Sequence, residues 1–528
     1  MAVAFSVAVS LSAPLYAADT EIKPELKAAT YGFWLREEQN GNGLDKGLAM
    51  LLTPSLSINI SDKNLTSALF YKNESVWYDD AQRSHNSLEQ YSWNNVLSGF
   101  DERVRLALTA ESQHQIRNSQ QGVFSDIITG AENLAKNRKH GAKLDFSTRR
   151  NATVSAKLSF SYTDLRSEVP EADDSLGDFN NTFSDVSLSL GTTRRQSPFF
   201  WQLKGNYSRT VRDIGGDFVN RRLSGIMGTP LLPGVSIVNR GSHEKAANLV
   251  GLASEFSSLG TGLEWQFGRV SRINFTRNWS ERTFSGPVVE EVIDEEYTAV
   301  EVYLAPTRRT SLSYISDRRY YGRSTEISGQ YNLRFLTMRL SVTDGVDTQS
   351  FFEQTTEDLG IFVCPSASAE FEDCFRPPSS NYQLGVGETL QQWVYNGVEL
   401  SENLVKRYSE SLNIGYNKNR LTLNVQLSSS EDKYLETDRI NERKSVALQS
   451  VWRLTEQADL SFTARGYEID YRDEQRKDKN SSVELGVKTQ LNAHSDISFS
   501  LRRMRRNSNV NSFDVEESRV WLTYSYRL

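Results

Sequence analysis

The chain is poor in almost everything a soluble enzyme or a helical membrane protein needs. It has 528 residues but only two cysteines, five histidines and twelve prolines. A His-rich metal centre is excluded by so few scattered histidines, and no phosphate loop, zinc spacing or haem-attachment motif occurs. Basic and acidic side chains number 60 and 67, so a nucleic-acid binder working through a global basic field is excluded as well. Beyond the first eighteen or so residues there is no apolar run of about 20, which a transmembrane helix requires. A chain this long would ordinarily divide into several soluble domains, yet no change of composition marks a boundary.

What is present is period-two alternation, repeated along the whole chain. The last nine residues show it plainly. Val520, Leu522, Tyr524, Tyr526 and Leu528 fall on one face of a strand, and Trp521, Thr523, Ser525 and Arg527 on the other. A terminal strand of this kind looks like the assembly signal of outer-membrane barrels, with Leu528 where an aromatic residue usually stands. Pro54, Leu56, Ile58 and Ile60 alternate with serine and asparagine, and Val154, Ala156, Leu158, Phe160 and Tyr162 with serine and lysine. Leu421, Leu423, Val425 and Leu427 repeat the pattern against polar neighbours.

Short turns punctuate these strands at 62–64, 99–101, 149–151, 193–197, 268–271, 306–309, 334–336, 417–419, 455–458 and 492–495. Adding a weak first strand at Lys27–Arg36 and the terminal one gives about 20–22 strands, with 18 the lower possibility. Longer polar connections alternate with the turns at 76–88, 113–137, 164–181, 211–245, 282–295, 346–404, 431–441 and 471–479. The pattern predicts an all-β, transmembrane, antiparallel up-and-down barrel with short periplasmic turns and long extracellular loops. Its expected layout is a signal peptide at 1–18, an N-terminal segment with the weak strand at 19–49, and the barrel at 50–528. The expected location is the outer membrane of a Gram-negative bacterium.

Trp201, Trp265 and Trp452 share the apolar phase close to short turns, as an aromatic girdle would. Trp521 is in the opposite phase. Arg277 falls in the lipid phase of Ile273 and Phe275, which points to a bulge there or to a shifted register. The acidic run Glu290, Glu291, Asp294, Glu295 and Glu296 reads as a solvated extracellular face.

The polar phase would wet the lumen, and Arg103, Arg105, Arg339, Arg465 and Arg502 are its candidate cations, suited to acidic solutes or acidic sugars. No catalytic constellation is expected, because His85, His114, His140, His243 and His494 lack partner motifs. No cofactor-binding or metal-binding residues stand out, and no cofactor is expected. Cys364 and Cys374 share the longest loop, and in an oxidising compartment they should pair. Such a short bridge would stabilise the fold by about 3 kcal/mol on the chain-entropy account. Only about thirty residues precede Met50 after cleavage, too few for a plug with its own core. A wide lumen should therefore be closed by long loops folding inward, 211–245 and 346–404 above all.

Several local motifs carry a further implication. Cys364-Pro365, Cys374 and Pro377-Pro378, followed by Lys406-Arg407-Tyr408 and the hairpin at Tyr416–Leu423, resemble a family of outer-membrane barrels encoded in exopolysaccharide gene clusters, often with a PEP-CTERM (exosortase) system. The turns Thr148-Arg149-Arg150, Thr193-Arg194-Arg195 and Thr307-Arg308-Arg309 are similar too. The resemblance implies a non-enzymatic channel or secretion partner in the export or surface assembly of a polysaccharide. Its expected partners are outer-membrane lipid, the barrel assembly machinery, periplasmic polysaccharide-export proteins and the polymer itself. A general or solute-specific porin, and a structural or adhesive barrel with binding loops, are the alternatives.

Overall fold

The computed structural model describes residues 19–528 apart from 38–43, 81–82, 84, 117–125, 150–151, 169–177, 193–198, 214–216, 248–254, 269, 286–289, 348–352, 366–387, 400–404, 436–438 and 511–512. The expected leader lies outside the described residues. The described residues form twenty-six strands, of which twenty-four make one antiparallel sheet. That sheet closes on itself: β1 (Asp19–Glu37) pairs with β2 (Leu44–Ser61) on one side and with the terminal β26 (Val515–Arg527) on the other. At the seam Tyr31 lies opposite Trp521, the Leu528 amide donates to the Pro24 carbonyl at 3.1 Å, and Arg527 pairs with Glu25 at 3.3 Å. In hydrocarbon an unpaired sheet edge is untenable, so closure is what makes the wall stable.

The wall is the expected barrel with one hairpin more than expected. The stretch 211–245 is not a loop. It carries β10 (Phe218–Leu232) and β11 (Val235–Ala247), joined by a tight turn at Pro233–Gly234 in which Gly234 takes φ 80°. Arg221, Arg222, Gly225, Gly228 and Pro230 break the apolar alternation of β10, and this hid it. The stretch 282–295 is likewise mostly wall, shared by β13 (Ser271–Ser285) and β14 (Glu290–Thr307). The barrel also begins earlier than Met50, because β1 starts at Asp19 and is much longer than Lys27–Arg36.

Alternation sorts the side chains. Ile22, Leu26, Leu48, Met50, Leu158, Phe160, Leu263, Phe275, Leu427, Phe499, Leu522 and Tyr524 are apolar and exposed on the outer face. Trp265 and Trp452 sit on that face near the short turns, and Trp34, Trp77 and Trp279 toward the opposite end. A closed wall with an apolar belt between two tryptophan girdles and a polar interior is an outer-membrane β-barrel of a Gram-negative cell. The strands run to 18 or 19 residues, longer than the roughly 9–11 needed to cross the membrane, so they extend past the bilayer.

Arg277 needs neither a bulge nor a slipped register. β13 pairs with β12 (Glu255–Phe267) and with β14 without interruption, and Arg277 faces outward. Its guanidinium donates to Glu296 at 2.7 Å, and the Trp279 indole donates to the same carboxylate at 3.2 Å. The charge is thus paired on the neighbouring strand, next to an interfacial tryptophan. The expected acidic face divides accordingly: Glu296 points outward, whereas Glu295 accepts from Arg282 at 2.7 Å.

The extracellular connections are not uniformly long either. β15 (Thr310–Arg319) reaches β16 (Gly322–Asn332) through Tyr320–Tyr321 alone. The stretch 346–404 contains a separate two-stranded hairpin, β18 (Glu353–Pro365) with β19 (Glu388–Glu399), outside the barrel sheet. Its backbone approaches β21 (Leu421–Tyr434) and β5 (Val104–Ile116), which stand well apart around the wall. Cys364 belongs to β18; Cys374, and with it the expected bridge, lies outside the described residues.

Because closure protects every strand edge, unboiled protein should migrate differently from boiled protein on a detergent gel. Deleting Val520–Leu528 removes the partner of both β1 and β25 (Ser495–Ser508), and should abolish that difference.

Candidate functional site

The lumen face of the seam is where the structure concentrates its interactions. Along β26 the side chains opposite the lipid-facing set are Glu517, Arg519, Trp521, Thr523 and Ser525. Glu517 and Arg519 are almost fully buried, at 1 % and 3 % exposure. Charged groups are seldom buried unless paired. Here the partner arrives from the connection between β5 and β6 (Leu134–Ser147), which turns into the barrel.

Residues 126–129 of that connection form a compact hook. The Asp126 carboxylate accepts from the backbone amides of Ile128 and Thr129 at 2.9 and 3.0 Å, and the Asp126 amide donates back to the Thr129 carbonyl at 2.9 Å. This is the self-capping turn that aspartate favours. Gly130, at φ 85°, then redirects the chain through one turn of 3-10 helix into β6.

The hook is latched at both ends of its side-chain set. Arg519 donates to Asp126 at 2.6 Å and to the Thr129 hydroxyl at 2.9 Å, and Arg502 of β25 reaches Asp126 at 3.2 Å. Thr129 donates to Glu517 at 3.1 Å, and Glu517 pairs with Arg519 at 2.6 Å. Between them Ile127 and Ile128 are buried against Ala29, Phe33, Ala49, Leu51 and Val76 of the inner wall. Burying each isoleucine is worth about 1.5–3 kcal/mol. The hydroxyl of Tyr78, at the end of β3 (Leu65–Tyr78), donates to the Ile127 and Ile128 carbonyls at 2.9 and 3.0 Å. Beneath the latch Tyr31 and Trp521 stack at 5.8 Å, with Arg519 over the first ring and Arg502 over the second.

Burial alone would raise the Asp126 carboxyl, but Arg519 and Arg502, with the hydrogen bonds from Arg519 and Thr129, outweigh it and hold the group down at about 2.

Of the five arginines expected in the lumen, Arg502 is the one built into this site. Arg105, Arg339 and Arg465 share the inward phase but stand on β5, β17 (Leu336–Asp347) and β23 (Ala458–Tyr471), so they do not converge. Arg103 leaves the lumen set: it lies in the turn between β4 (Asn86–Gly99) and β5, pairs with exposed Asp101 at 3.2 Å, and lines a cavity at the periplasmic rim. On the extracellular half of the inner wall Arg476 and Arg506 share the buried Asp478, and two more buried groups lie there as well. In one, Tyr297 donates to Asp317 at 3.0 Å, Arg240 pairs with Asp317 at 2.6 Å, and Arg319 pairs with Glu244 beside Tyr320 and Tyr321. In the other, Arg407 pairs with Asp432 at 2.6 Å near the buried ring of Tyr434.

The sequence reading missed Asp126, Thr129, Glu517 and Arg519. The usable signal was the two apolar pairs Val123-Phe124 and Ile127-Ile128 inside a mostly polar connection, the second framed by Asp126 and Thr129. Residues 126–133 are thus a connection that folds against the inner wall, whereas the stretch 211–245 is wall.

No protein-family model matches the chain, and no curated protein matches it. Among solved structures it is similar to the FrpB iron transporter from Neisseria meningitidis, at 10 % identity and TM-score 0.42, covering 97 % of this chain and 83 % of that one. It is similar to the siderophore receptor PirA from Acinetobacter baumannii, at 8 % identity and TM-score 0.41, covering 96 % and 80 %. OccK2 from Pseudomonas aeruginosa aligns at 8 % identity and TM-score 0.35, covering 96 % and 98 %.

A carboxyl held down at about 2 stabilises the latch above the carboxyl's ordinary range and loses that contribution only as pH falls toward 2. Single-channel conductance of the wild type should therefore be unchanged between pH 8 and pH 4. Asp126→Asn should raise conductance in planar bilayers at every pH in that window. Because the carboxylate is 34 % exposed, the latch should weaken by only about 1–3 kcal/mol.

Proposed function

We propose that this barrel is a gated conduit for an extracellular polysaccharide, with residues 126–133 as its inner gate. The observation that carries the reading is the latch itself: a segment inside the lumen, fixed by Arg502, Arg519 and Glu517 over the stacked rings of Tyr31 and Trp521. Release of the hook would uncover two aromatic faces flanked by two guanidiniums. Sugar rings stack their C–H faces on aromatic side chains, and acidic sugars pair with arginine, so the uncovered surface suits a chain of acidic or mixed sugars. A wall of twenty-four strands is wide enough that a passing polymer needs no further opening of the sheet. In this reading the chain acts without chemistry of its own, and periplasmic export proteins deliver the polymer to its lower mouth.

The porin reading has its own support in the charged inner wall, where Lys143 and Asp145 of β6 pair at 3.7 Å. The two readings differ in what they pass. In planar bilayers, oligosaccharides cut from the host's surface polymer should transiently block the current of the Asp126→Asn barrel. Trp521→Ala should shorten those blockades several-fold. If amino acids or monosaccharides modulate the current and the oligosaccharides do not, the polysaccharide assignment is wrong and a solute porin stands.

A further inference from the structure

A cavity of about 740 Å³ sits at the periplasmic rim between the β4–β5 turn and the turn from β6 into β7 (Val154–Ser167), far from the latch. Its apolar wall includes Val104 and Phe146, which lie opposite each other in the ladder and belong to the lipid-facing phase. Ala152 forms part of its floor, and Arg103 and Arg149 line it. Phe100 closes one side while remaining 78 % exposed.

The turn that carries Phe100 is strained. Phe100, Asp101 and Glu102 take φ of 54°, 58° and 62°, three successive non-glycine residues in the left-handed region. Each costs about 1–2 kcal/mol. Backbone strain of this kind collects where a ligand is held.

We propose that this cavity binds the headgroup of an anionic glycerophospholipid from the periplasmic leaflet. Three observations converge on that occupant. The cavity is lined by lipid-facing Val104 and Phe146 at the end of the strands, the depth at which headgroups lie. Its two cations are available: Arg149 is exposed and has no ion pair among the described residues, while the Nε of Arg103 is buried without a hydrogen-bond partner. The one ion pair in the way, Arg103 with Asp101, involves a carboxylate 87 % exposed, and such pairs hold weakly. The third is composition. Val104, Phe146 and Phe100 offer an apolar surface for the first acyl carbons, directly beside guanidiniums that match a phosphate.

The test uses the full barrel in an uncharged detergent with added phosphatidylglycerol. Native mass spectrometry should show one phospholipid retained at a site that Arg103→Gln/Arg149→Gln weakens at least ~10-fold. Ala152→Phe fills the cavity without altering charge and should weaken retention too, in protein still heat-modifiable on a gel. Inorganic phosphate at the same concentration should not displace the lipid. Equal retention by the wild type and both variants would overturn the site. Displacement by inorganic phosphate would also overturn it, leaving an anion site in place of a lipid site.

Discussion

The interaction on which the rest depends is the pairing of the first strand with the last. A barrel wall in hydrocarbon has no solvent to satisfy an open edge, so twenty-three hairpin pairings are stable only when β1 meets β26. The sequence places different chemistry on the two faces of that seam. Outside, Leu522, Tyr524 and Tyr526 meet lipid. Inside, Glu517, Arg519 and Trp521 hold the Asp126 hook. The strand that completes the wall therefore also anchors what occupies the lumen.

Charge pairing follows the same economy throughout. On the lumen side, buried arginines are matched by carboxylates from other strands, as in Arg240 with Asp317 and Arg407 with Asp432, or from their own, as in Arg519 with Glu517. Leaving any of these charges unpaired in a low-dielectric setting would cost more than the pair contributes. On the lipid side the same rule explains Arg277: it is tolerated because Glu296 neutralises it and Trp279 anchors both near the interface. The latch differs from these static pairs because one of its members, Asp126, belongs to a connection and not to the wall. Wall strands cannot move without losing ladder hydrogen bonds, whereas the hook is held by contacts of Asp126, Ile127, Ile128 and Thr129 and by the Tyr78 hydroxyl.

The two rims also differ in construction. The periplasmic turns are short and some pay in backbone conformation, with Phe100 to Glu102 and Asn419 in the left-handed region. The extracellular half is thickened by strands that outrun the membrane and by inward aromatic and ionic clusters around Tyr320, Tyr321 and Tyr434.

The sequence by itself determined the fold class, because period-two alternation is a local property and survives reading one strand at a time. It determined the outward faces of β7 (Val154–Ser167), β21 and β26, and the inward phase of Trp521, Arg339, Arg465 and Arg502. Where alternation was broken by glycine, proline and paired arginines, as in β10, the strand was not legible, and its hairpin partner was lost with it. The latch was decided by tertiary structure alone. Asp126 and Arg519 are separated by 393 residues, and nothing in a linear pattern tells which connection turns inward or which strand ends next to it. That adjacency exists only after closure sets β1, β25 and β26 side by side and brings the β5–β6 connection over them.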